Sequence, residues 1–477
     1  MTKRKIHFLL GCMFLATVAS AQEKWDLRRS VEYALQNNIS VKQSDVQSRI
    51  SELTLKQSRL SQFPTLNLGG NVGYSSGRNQ DPTTFSLITT GYLSSGFSLQ
   101  SGVDLFNWFS RRNTIAGNAL ETEAARAAVD KVKNDIALNV AVAYLQVLLA
   151  REQENVSLLQ VRQTEAQLGN TRKLVRAGSL PELNAAELEA QLARDSSTLV
   201  TAQASAIQTI LQLKALLNVD AAVPFDVITP PVDQIPVESL ADLQPAYVYE
   251  LALKNLPQQR VNDLRLKAAG KYVEAARGAM FPTFSAFASL GTNFNNQARD
   301  PNLSTLSPTL DTIGKVTVNG TPYDVVRNGF NFDMKNVPYF TQFNQNFRQS
   351  IGISVNVPIF NGGSLRTAYQ RSKLTLENIG LTRDLDNQTL KQDIYRAYND
   401  ATAAIQKYNA GLKSVATAEK ANEFASKRYN IGLLNSIDLI TNQNNLFRAR
   451  IDLLAAQYDY VFKLKLLEFY KGQGLKL

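Results

Sequence analysis

The sequence predicts an α+β membrane protein in which one unit, a long helical hairpin with two β-strands, occurs twice. Three observations support this fold class: long stretches of helix-forming residues without proline, shorter stretches in which apolar and polar residues alternate, and an internal repeat. Gly178 and Gly432 lie 254 residues apart, since 432 − 178 = 254. The following pairs have the same spacing: Phe106/Phe360, Arg112/Arg366, Ala143/Ala397, Tyr144/Tyr398, Lys173/Lys427 and Leu192/Leu446.

The first residues have the order that is typical of a secretory signal peptide. Basic residues 3–5 precede an apolar run at 6–18, and small residues follow at 19–21. We therefore predict a signal peptide over residues 1–21, whose apolar run is too short to span a bilayer. A lipoprotein signal cleaved before Cys12 is the alternative, although it would leave a strongly apolar N-terminus.

The composition excludes several kinds of catalytic site. The only cysteine and the only histidine, Cys12 and His7, both lie in the predicted signal peptide. A mature chain without them has no cysteine nucleophile, disulfide, Cys/His zinc site or histidine base. The net charge of +10 falls to +10 − 3 = +7 without residues 3–5, and this modest excess argues against nucleic-acid binding. We expect no enzyme activity, no cofactor and no metal.

The first repeat is predicted over residues 22–220. Apolar residues at helical spacing begin at Trp25, and Pro64 ends this helix because proline lacks a backbone donor. The residues that follow alternate with a period of two, which indicates strands with one apolar face and one small, neutral face. The first long helix, of about 65 residues, would be roughly 100 Å long at 1.5 Å per residue. The predicted elements are helix 25–62, strands at about 65–75 and 97–107, and long helices 111–176 and 181–217.

A linker separates the two repeats. Residues 221–245 contain five prolines, which predicts an irregular connection, and the second repeat follows over 246–477. The Phe-Pro-Thr sequence at 281–283 repeats the one at 63–65 with a spacing of 218 residues. The increase from 218 to 254 predicts an insertion in a long loop near 295–347, because loops tolerate insertions. The predicted elements of this repeat are strands at about 283–294 and 348–360 and long helices 365–429 and 436–471.

One long helix of the second repeat carries a heptad pattern. Apolar and aromatic residues alternate there in steps of four and three, which predicts coiled-coil packing against a neighbouring helix. Tyrosines of this pattern are expected to pack in the seam and not to bind a ligand. The residues are Ile394, Tyr398, Ala401, Ile405, Tyr408, Leu412 and Val415.

The strand edges require more than one copy of the chain. Four strands leave two free edges, and inside a bilayer every backbone group must be paired. Two copies would give eight strands around an interior filled by side chains, whereas three would give twelve around an aqueous lumen. The alternation suits a lipid face and a wet lumen, with Asp104 expected near the rim. The residues predicted to face the lumen are Asn67, Asn71, Gln100, Asp104 and Asn356.

Four features together resemble the TolC-type outer-membrane efflux proteins over essentially the whole mature chain. They are the helix opening at 25–38, the two Phe-Pro-Thr sequences, residues 360–363 before a helix, and Tyr429 with Gly432 and Asp438. The resemblance implies a homotrimer with a 12-stranded outer-membrane β-barrel, in contact with outer-membrane lipid, and a periplasmic α-barrel made by the helical hairpins. It also implies passive export, with cargo delivered by an inner-membrane RND, ABC or MFS-type pump through a periplasmic adaptor protein.

The same resemblance assigns roles to the two glycine turns, which would form the periplasmic tip. In the family such turns dock the adaptor, and the residues after them close the pore. The implied docking residues are Arg176, Gly178, Leu180, Tyr429, Gly432 and Leu434, and the implied gate residues are Asp438, Asn184, Glu187 and Thr441. The chain departs from the family at Leu434, where a gating arginine occurs, and at Thr441, where a second acid can stand. Helix termination by the glycines and a solvated carboxylate at Asp438 are the plainer interpretations.

Two other functions are compatible with the residues alone. The long helices could belong to a structural coiled-coil protein of the surface or periplasm without channel activity. A carboxylate-based enzyme is the other, although no paired acids cluster in the sequence. A stalk has no need for four alternating strands in matched positions, which favours the export duct.

Overall fold

The computed structural model describes residues 24–80, 85–229, 238–331 and 333–472. The predicted signal peptide with Cys12 and part of the predicted linker lie outside these residues. The chain divides into two compact units. The helical unit contains the described parts of residues 1–55, 117–270 and 374–477, and the strand unit contains residues 56–116 and 271–373.

The first repeat forms four helices and two strands in the order that the sequence suggests. In chain order they are α1 (Leu27–Asn37), α2 (Ile39–Leu60), β1 (Thr65–Gln80), β2 (Leu87–Phe106), α3 (Ser110–Arg176) and α4 (Glu182–Leu217). Both strands extend further than the alternation predicts. β1 and β2 pair in register from Thr65 with Gly102 to Gln80 with Leu87, and thus form one long antiparallel hairpin.

The second repeat contains the corresponding elements and an insertion. They are α5 (Pro245–Asn255), α6 (Pro257–Gly278), β3 (Thr283–Asn295), β4 (Arg299–Pro301), β5 (Ser307–Val318), β6 (Thr321–Asn331), β7 (Met334–Asn336), α7 (Tyr339–Gln345), β8 (Arg348–Asn356), α8 (Ser364–Asn430) and α9 (Ser436–Tyr470). β8 stops at Asn356, short of the predicted end near 360. Pro358 lacks a backbone N–H and cannot continue the ladder.

The predicted single helix 25–62 is wrong, because Asn38 divides it. Asn38 has an extended backbone, and its side chain accepts a hydrogen bond from the Ser40 N–H at 2.8 Å. The Asn38 amide also donates to the Leu216 carbonyl at 2.8 Å. Such local bonds compete with the helical ladder. The second repeat divides at the matching position, since Leu256 is the extended residue before Pro257 and 256 − 38 = 218.

The predicted loop at 295–347 is also wrong in part, because it holds regular structure. β5 and β6 form an antiparallel hairpin, and β4 pairs with β7. Asn319 and Gly320 connect β5 to β6 with φ values of 51° and 86°. Asn-Gly with positive φ at both residues is the preferred two-residue hairpin turn.

Four strands of the strand unit form one antiparallel sheet in the order β1-β2-β3-β8. Asn67 pairs with Gln100, Gln100 with Ser289, and Ser289 with Ser350. Directly paired residues of antiparallel strands point to the same side. This register therefore places the small polar residues of all four strands on one surface, the polar face, and most of the apolar residues on the other, the apolar face. Phe287 is an exception, because it pairs with Gly102 and Gly352 and lies on the polar face.

The main core of the helical unit joins residues that are distant in sequence. Tyr144 and Leu213 are buried in it with residues of α1 and α9. The Tyr144 hydroxyl donates to the Ile228 carbonyl at 2.6 Å, and burial raises the pKa of this tyrosine well above its usual value. Among the described helices, only α3 has a stretch long and apolar enough to cross a membrane, and 44% of that stretch is buried in the protein.

The heptad residues of α8 pack against α9 over part of their length. Ile394 and Ala401 are buried in a second core with Leu464. Tyr408 stacks on Tyr460 with ring centroids 5.7 Å apart and an interplanar angle of 4°. Leu412, further along the pattern, is exposed. The seam therefore forms within the chain over the middle of α8.

Candidate functional site

The two long hairpins end in the same backbone motif. In the first turn the Ser179 N–H donates to the Leu174 carbonyl and the Gly178 N–H to the Val175 carbonyl, each at 2.9 Å. These six-to-one and five-to-two bonds define a Schellman motif, whose left-handed residue is Gly178 with φ 73°. No atom lies within 4 Å of the position that a Cβ would take on Gly178. Glycine is therefore required by the backbone alone.

The second turn repeats these bonds 254 residues later. The Leu433 N–H donates to the Arg428 carbonyl at 2.8 Å, and the Gly432 N–H donates to the Tyr429 carbonyl at 3.0 Å. Gly432 has φ 75°, and the space around its absent Cβ is also open. The helix-terminating role that the sequence suggests for both glycines is thus confirmed by geometry.

The returning helices start differently. The Asn435 side chain accepts a hydrogen bond from the Asp438 N–H at 2.8 Å and so caps α9. Pro181 stands at the matching position of α4 and makes no side-chain capping bond. Asp438 lies exposed in the first turn of α9, where the helix dipole favours a carboxylate.

Tyr429 lies inside the second turn and not on its surface. The side chain is 1% exposed and is buried with Ala425 and Leu439. Its hydroxyl is 3.1 Å from the Thr171 Oγ1, which joins the second hairpin to the first. Leu180 and Leu434 pack against the same cluster. Of the six residues that the resemblance assigns to docking, these three apolar or aromatic ones hold the two turns together.

The exposed residues of the tip include apolar side chains that the sequence analysis missed. Ile431, Leu433 and Ile437 are 70%, 65% and 60% exposed. Two of them could have been found from the sequence, because Ile431 and Leu433 flank Gly432, where a solvated turn usually has polar residues. The corresponding first-turn residues are Ala177, Ser179 and Leu183, so only the last of these positions is apolar and large in both turns.

The four gate candidates do not form one cluster in the chain. Glu187 is half-buried and accepts a hydrogen bond from Ser436, a buried residue at the start of α9. Thr441 is exposed, and its hydroxyl donates to the Ile437 carbonyl at 2.8 Å. Asn184 is half-buried. Glu187 therefore ties the two hairpins together, while Asp438 and Thr441 face outwards.

A buried polar network that the sequence did not reveal lies further along the hairpins. Thr164 Oγ1 donates to Asp195 Oδ2 at 2.6 Å, and Gln191 Nε2 donates to Asp195 Oδ1 at 2.7 Å. The same Gln191 nitrogen lies 3.0 Å from Asn444 Oδ1 of the other hairpin. Neutral donors thus satisfy the buried carboxylate, and a side chain of each hairpin takes part.

A groove follows the second hairpin between α8 and α9. Small and polar side chains line it, and Asn442 and Asn445 contribute from α9. The remaining lining residues are Ala410, Lys413, Ser414, Thr417, Ala418, Ala421 and Ala449. Small residues allow another helix to approach closely, so the groove has the shape for helical contact.

The polar face of the sheet contains the residues predicted to face a lumen. Gln100 pairs with Asn67, and Gly96 with Asn71, so these two asparagines share that face. Asn356 lies on it as well, opposite Thr283. The list of polar residues aligned with them includes Ser94, Ser98, Ser285, Ser289, Arg348, Ser350 and Ser354.

Asp104 lies on the polar face where β2 approaches α3. It forms an ion pair with Arg111 and accepts a hydrogen bond from Ser285 Oγ at 2.8 Å. Arg111 also donates to the Asp104 carbonyl at 3.1 Å. The carboxylate thus links the end of β2 to the first turn of α3. Among the described residues, no group of three or more His, Cys, Asp and Glu side chains is arranged to hold a metal.

Comparison with known proteins agrees with this geometry. The sequence profile of the family described as "Outer membrane efflux protein" matches residues 31–219 and 248–473. The chain is 22% identical to the outer membrane efflux protein BepC of Brucella suis, over 90% of this chain and 81% of BepC. It is 22% identical to the outer membrane protein TolC of Escherichia coli, over 96% of this chain and 84% of TolC. The crystal structure of CusC superposes with a TM-score of 0.74 at 17% identity, covering 94% of this chain and 92% of CusC.

Proposed function

The chain belongs to the outer membrane efflux protein family, and on that premise we propose that three copies form the exit duct of a tripartite efflux or type I secretion system. Members of this family are channels of the outer membrane with helices in the periplasm, and they are not enzymes. The proposal adds the trimer, the partners and the tip residues. Membership of this family argues against the alternative of a structural coiled-coil protein without a channel.

The free edges of the sheet carry the trimer proposal. β1 and β8 are the outermost strands, and they run in opposite directions because three antiparallel pairings separate them. β8 of one copy can therefore pair antiparallel with β1 of the next, which satisfies the backbone inside lipid. Twelve strands from three copies leave an aqueous lumen, whereas eight would be filled by side chains.

The two faces of the sheet support the same arrangement. Leu68 and Ile351 are exposed on the apolar face, where lipid would cover them. The polar face carries Asn67, Gln100 and Asn356, which suit a water-filled bore, and Arg348 adds a positive charge at the end of β8. Asp104 adds little charge to this bore because Arg111 neutralises it.

The tip supports contact with a periplasmic adaptor. Ile431, Leu433 and Ile437 form an exposed apolar patch beside Gly432, and the groove between α8 and α9 starts a few residues further on. An adaptor helix would place apolar side chains against this patch and follow the groove. The inner-membrane pump of RND, ABC or MFS type would then supply small molecules or polypeptides and the energy for export.

Single-channel recording tests the proposed duct. Purified protein in a planar lipid bilayer should give discrete conductance steps, and cross-linking should trap a trimer. A Gln100→Lys variant tests whether the polar face lines the bore. The added positive charge should reduce the selectivity of the channel for cations. A protein that remains monomeric and carries no current would contradict the proposal.

Asp438 provides a test of the gate. Three copies of this exposed carboxylate around a threefold axis would attract cations to a narrow opening. Asp438→Asn should weaken cation selectivity and block by multivalent cations, and Asp438→Lys should weaken them further. Asn184 occupies the matching position of the first turn, so Asn184→Lys shows what an added charge does outside the acidic ring. Unchanged currents in both Asp438 variants would assign this residue to helix capping electrostatics alone.

A further inference from the structure

A short helix of the strand unit, α7, packs on the apolar face of the sheet. The Tyr339 ring lies 4.7 Å from that of Phe294, and the Phe343 ring lies 5.9 Å from that of Phe97. Phe97 aligns with Gly70 of β1 and therefore belongs to the apolar face. The helix thus lies on the side of the sheet that the proposed channel turns towards lipid.

Side-chain amides fix α7 where a strand is missing. β8 starts at Arg348 opposite Gly291, but β3 continues to Asn295. Gln342 accepts from the Asn295 N–H at 3.0 Å and donates to the Asn295 carbonyl at 2.9 Å. The Asn346 amide donates to the Asn293 carbonyl at 2.7 Å. These bonds satisfy the edge of β3 in place of a strand, so the orientation of α7 is set by the fold.

Exposed aromatic side chains accompany the polar Thr341, Asn344 and Gln345 on the surface of α7. Phe340 is 83% exposed and Phe347, which follows the helix, is 52% exposed. Residues 339–347 contain no charged side chain. These two rings lie next to the apolar face that the proposed channel turns towards lipid, so lipid is the partner that their position favours.

The length of β8 places these rings at a membrane boundary. β8 has nine residues, about the number that a tilted strand needs to cross the hydrocarbon layer. β8 ends at Asn356, which is followed by α8. The residues just before Arg348 therefore lie at the edge of the hydrocarbon layer that is further from α8 along the strand. Aromatic side chains concentrate at this depth in membrane barrels.

We propose that α7 is an interfacial anchor whose Phe340 and Phe347 rings enter the boundary between headgroups and acyl chains of the outer leaflet. The partner is lipid, and the site continues the apolar face formed by residues such as Ile351. The inference rests on the proposed function, because it requires that this face meets lipid. It adds a lipid contact made by a helix outside the barrel wall.

Spin labels on the assembled protein test the anchor. Cys12 is the only cysteine, so Cys12→Ser gives a background for the single variants Phe340→Cys, Ile351→Cys and Ser350→Cys. Each is labelled with a nitroxide in phospholipid vesicles, and collisions with oxygen, which concentrates in lipid, are compared with collisions with a water-soluble nickel chelate. Ile351 and Ser350 are neighbours on opposite faces, which makes them matched controls.

The three sites should rank in depth. The oxygen-to-nickel collision ratio should be highest at Ile351, several-fold lower at Ser350, and intermediate at Phe340. A ratio at Phe340 equal to that at Ser350 would place α7 in water, and poor access of both reagents would mean that a second copy covers it. Either result overturns the anchor while leaving the duct intact. A low ratio at Ile351 instead contradicts the lipid face, and with it the proposed function. Phe347→Cys provides a second site for the same measurement.

Discussion

The two tip turns have the same backbone and different side-chain environments. Gly178 and Gly432 adopt the same left-handed conformation, and the same pair of backbone hydrogen bonds closes each turn. Two residues of the second turn differ from their counterparts in the first. Tyr429 fills the space between the hairpins, where the first turn has the smaller Val175. Asn435 caps the next helix, where the first turn has Pro181.

The difference shows how a duplication can keep a shape and change its chemistry. A Schellman turn needs one glycine and a helix on its N-terminal side, so both copies can retain it while the neighbouring positions vary. Only the second turn has a buried tyrosine, a side-chain cap and exposed large apolar residues on both sides of its glycine. We therefore expect the second turn to carry more of the stability of the tip and more of its contact with partners.

The largest difference between the turns should come from Tyr429. Tyr429→Ala should lower the free energy of opening of the second turn by about 3–5 kcal/mol, because it removes a buried aromatic side chain. Val175→Ala at the matching position, where the side chain is half-buried, should cost about 1 kcal/mol. Hydrogen exchange of backbone amides in residues 428–440 and 174–186 measures both openings.

A conservative variant separates the ring from the hydroxyl. Tyr429→Phe keeps the packing with Ala425 and Leu439 but loses the contact with Thr171, and should cost about 0.5–1.5 kcal/mol. If Tyr429→Phe were as damaging as Tyr429→Ala, the hydroxyl and not the ring would hold the hairpins together.

The glycines should give equal effects of intermediate size. Gly178→Ala and Gly432→Ala should each raise exchange at their own turn by an amount equivalent to about 1–2 kcal/mol, the cost of a left-handed alanine. No steric contribution is expected, because the space around each absent Cβ is open. A much larger loss at one turn would show that the two backbones are not equivalent in energy.

The smallest difference should come from the helix caps. Asn435→Ala removes the side-chain acceptor for the Asp438 N–H and should cost about 1 kcal/mol at the start of α9. Pro181→Ala should change exchange at the start of α4 very little, since Pro181 offers no side-chain acceptor. Equal effects of the two substitutions would argue that the Asn435 cap does not stabilise the second turn.

Much of this architecture follows from local sequence patterns. The proline-free stretches, the glycine at each turn and the alternation of strand residues all act within a few residues along the chain, so they can be read without a structure. The single helix expected over 25–62 breaks at Asn38, whose side chain bonds locally to the Ser40 N–H and also to the distant Leu216 carbonyl. Only the second of these contacts lies beyond any local pattern. The hairpin within 295–347 could have been predicted from the sequence, because Asn319-Gly320 is a recognisable hairpin turn.

The sequence by itself determined that two similar helical hairpins turn at Gly178 and Gly432 and that the strands have one apolar and one polar face. Tertiary structure alone decided that Tyr429 is buried against Thr171, that Gln191 reaches Asn444, and that α7 covers the edge of β3. The physical reason is the range of the forces. Backbone conformation depends on near neighbours, whereas burial and side-chain hydrogen bonds depend on which distant segments the fold brings together.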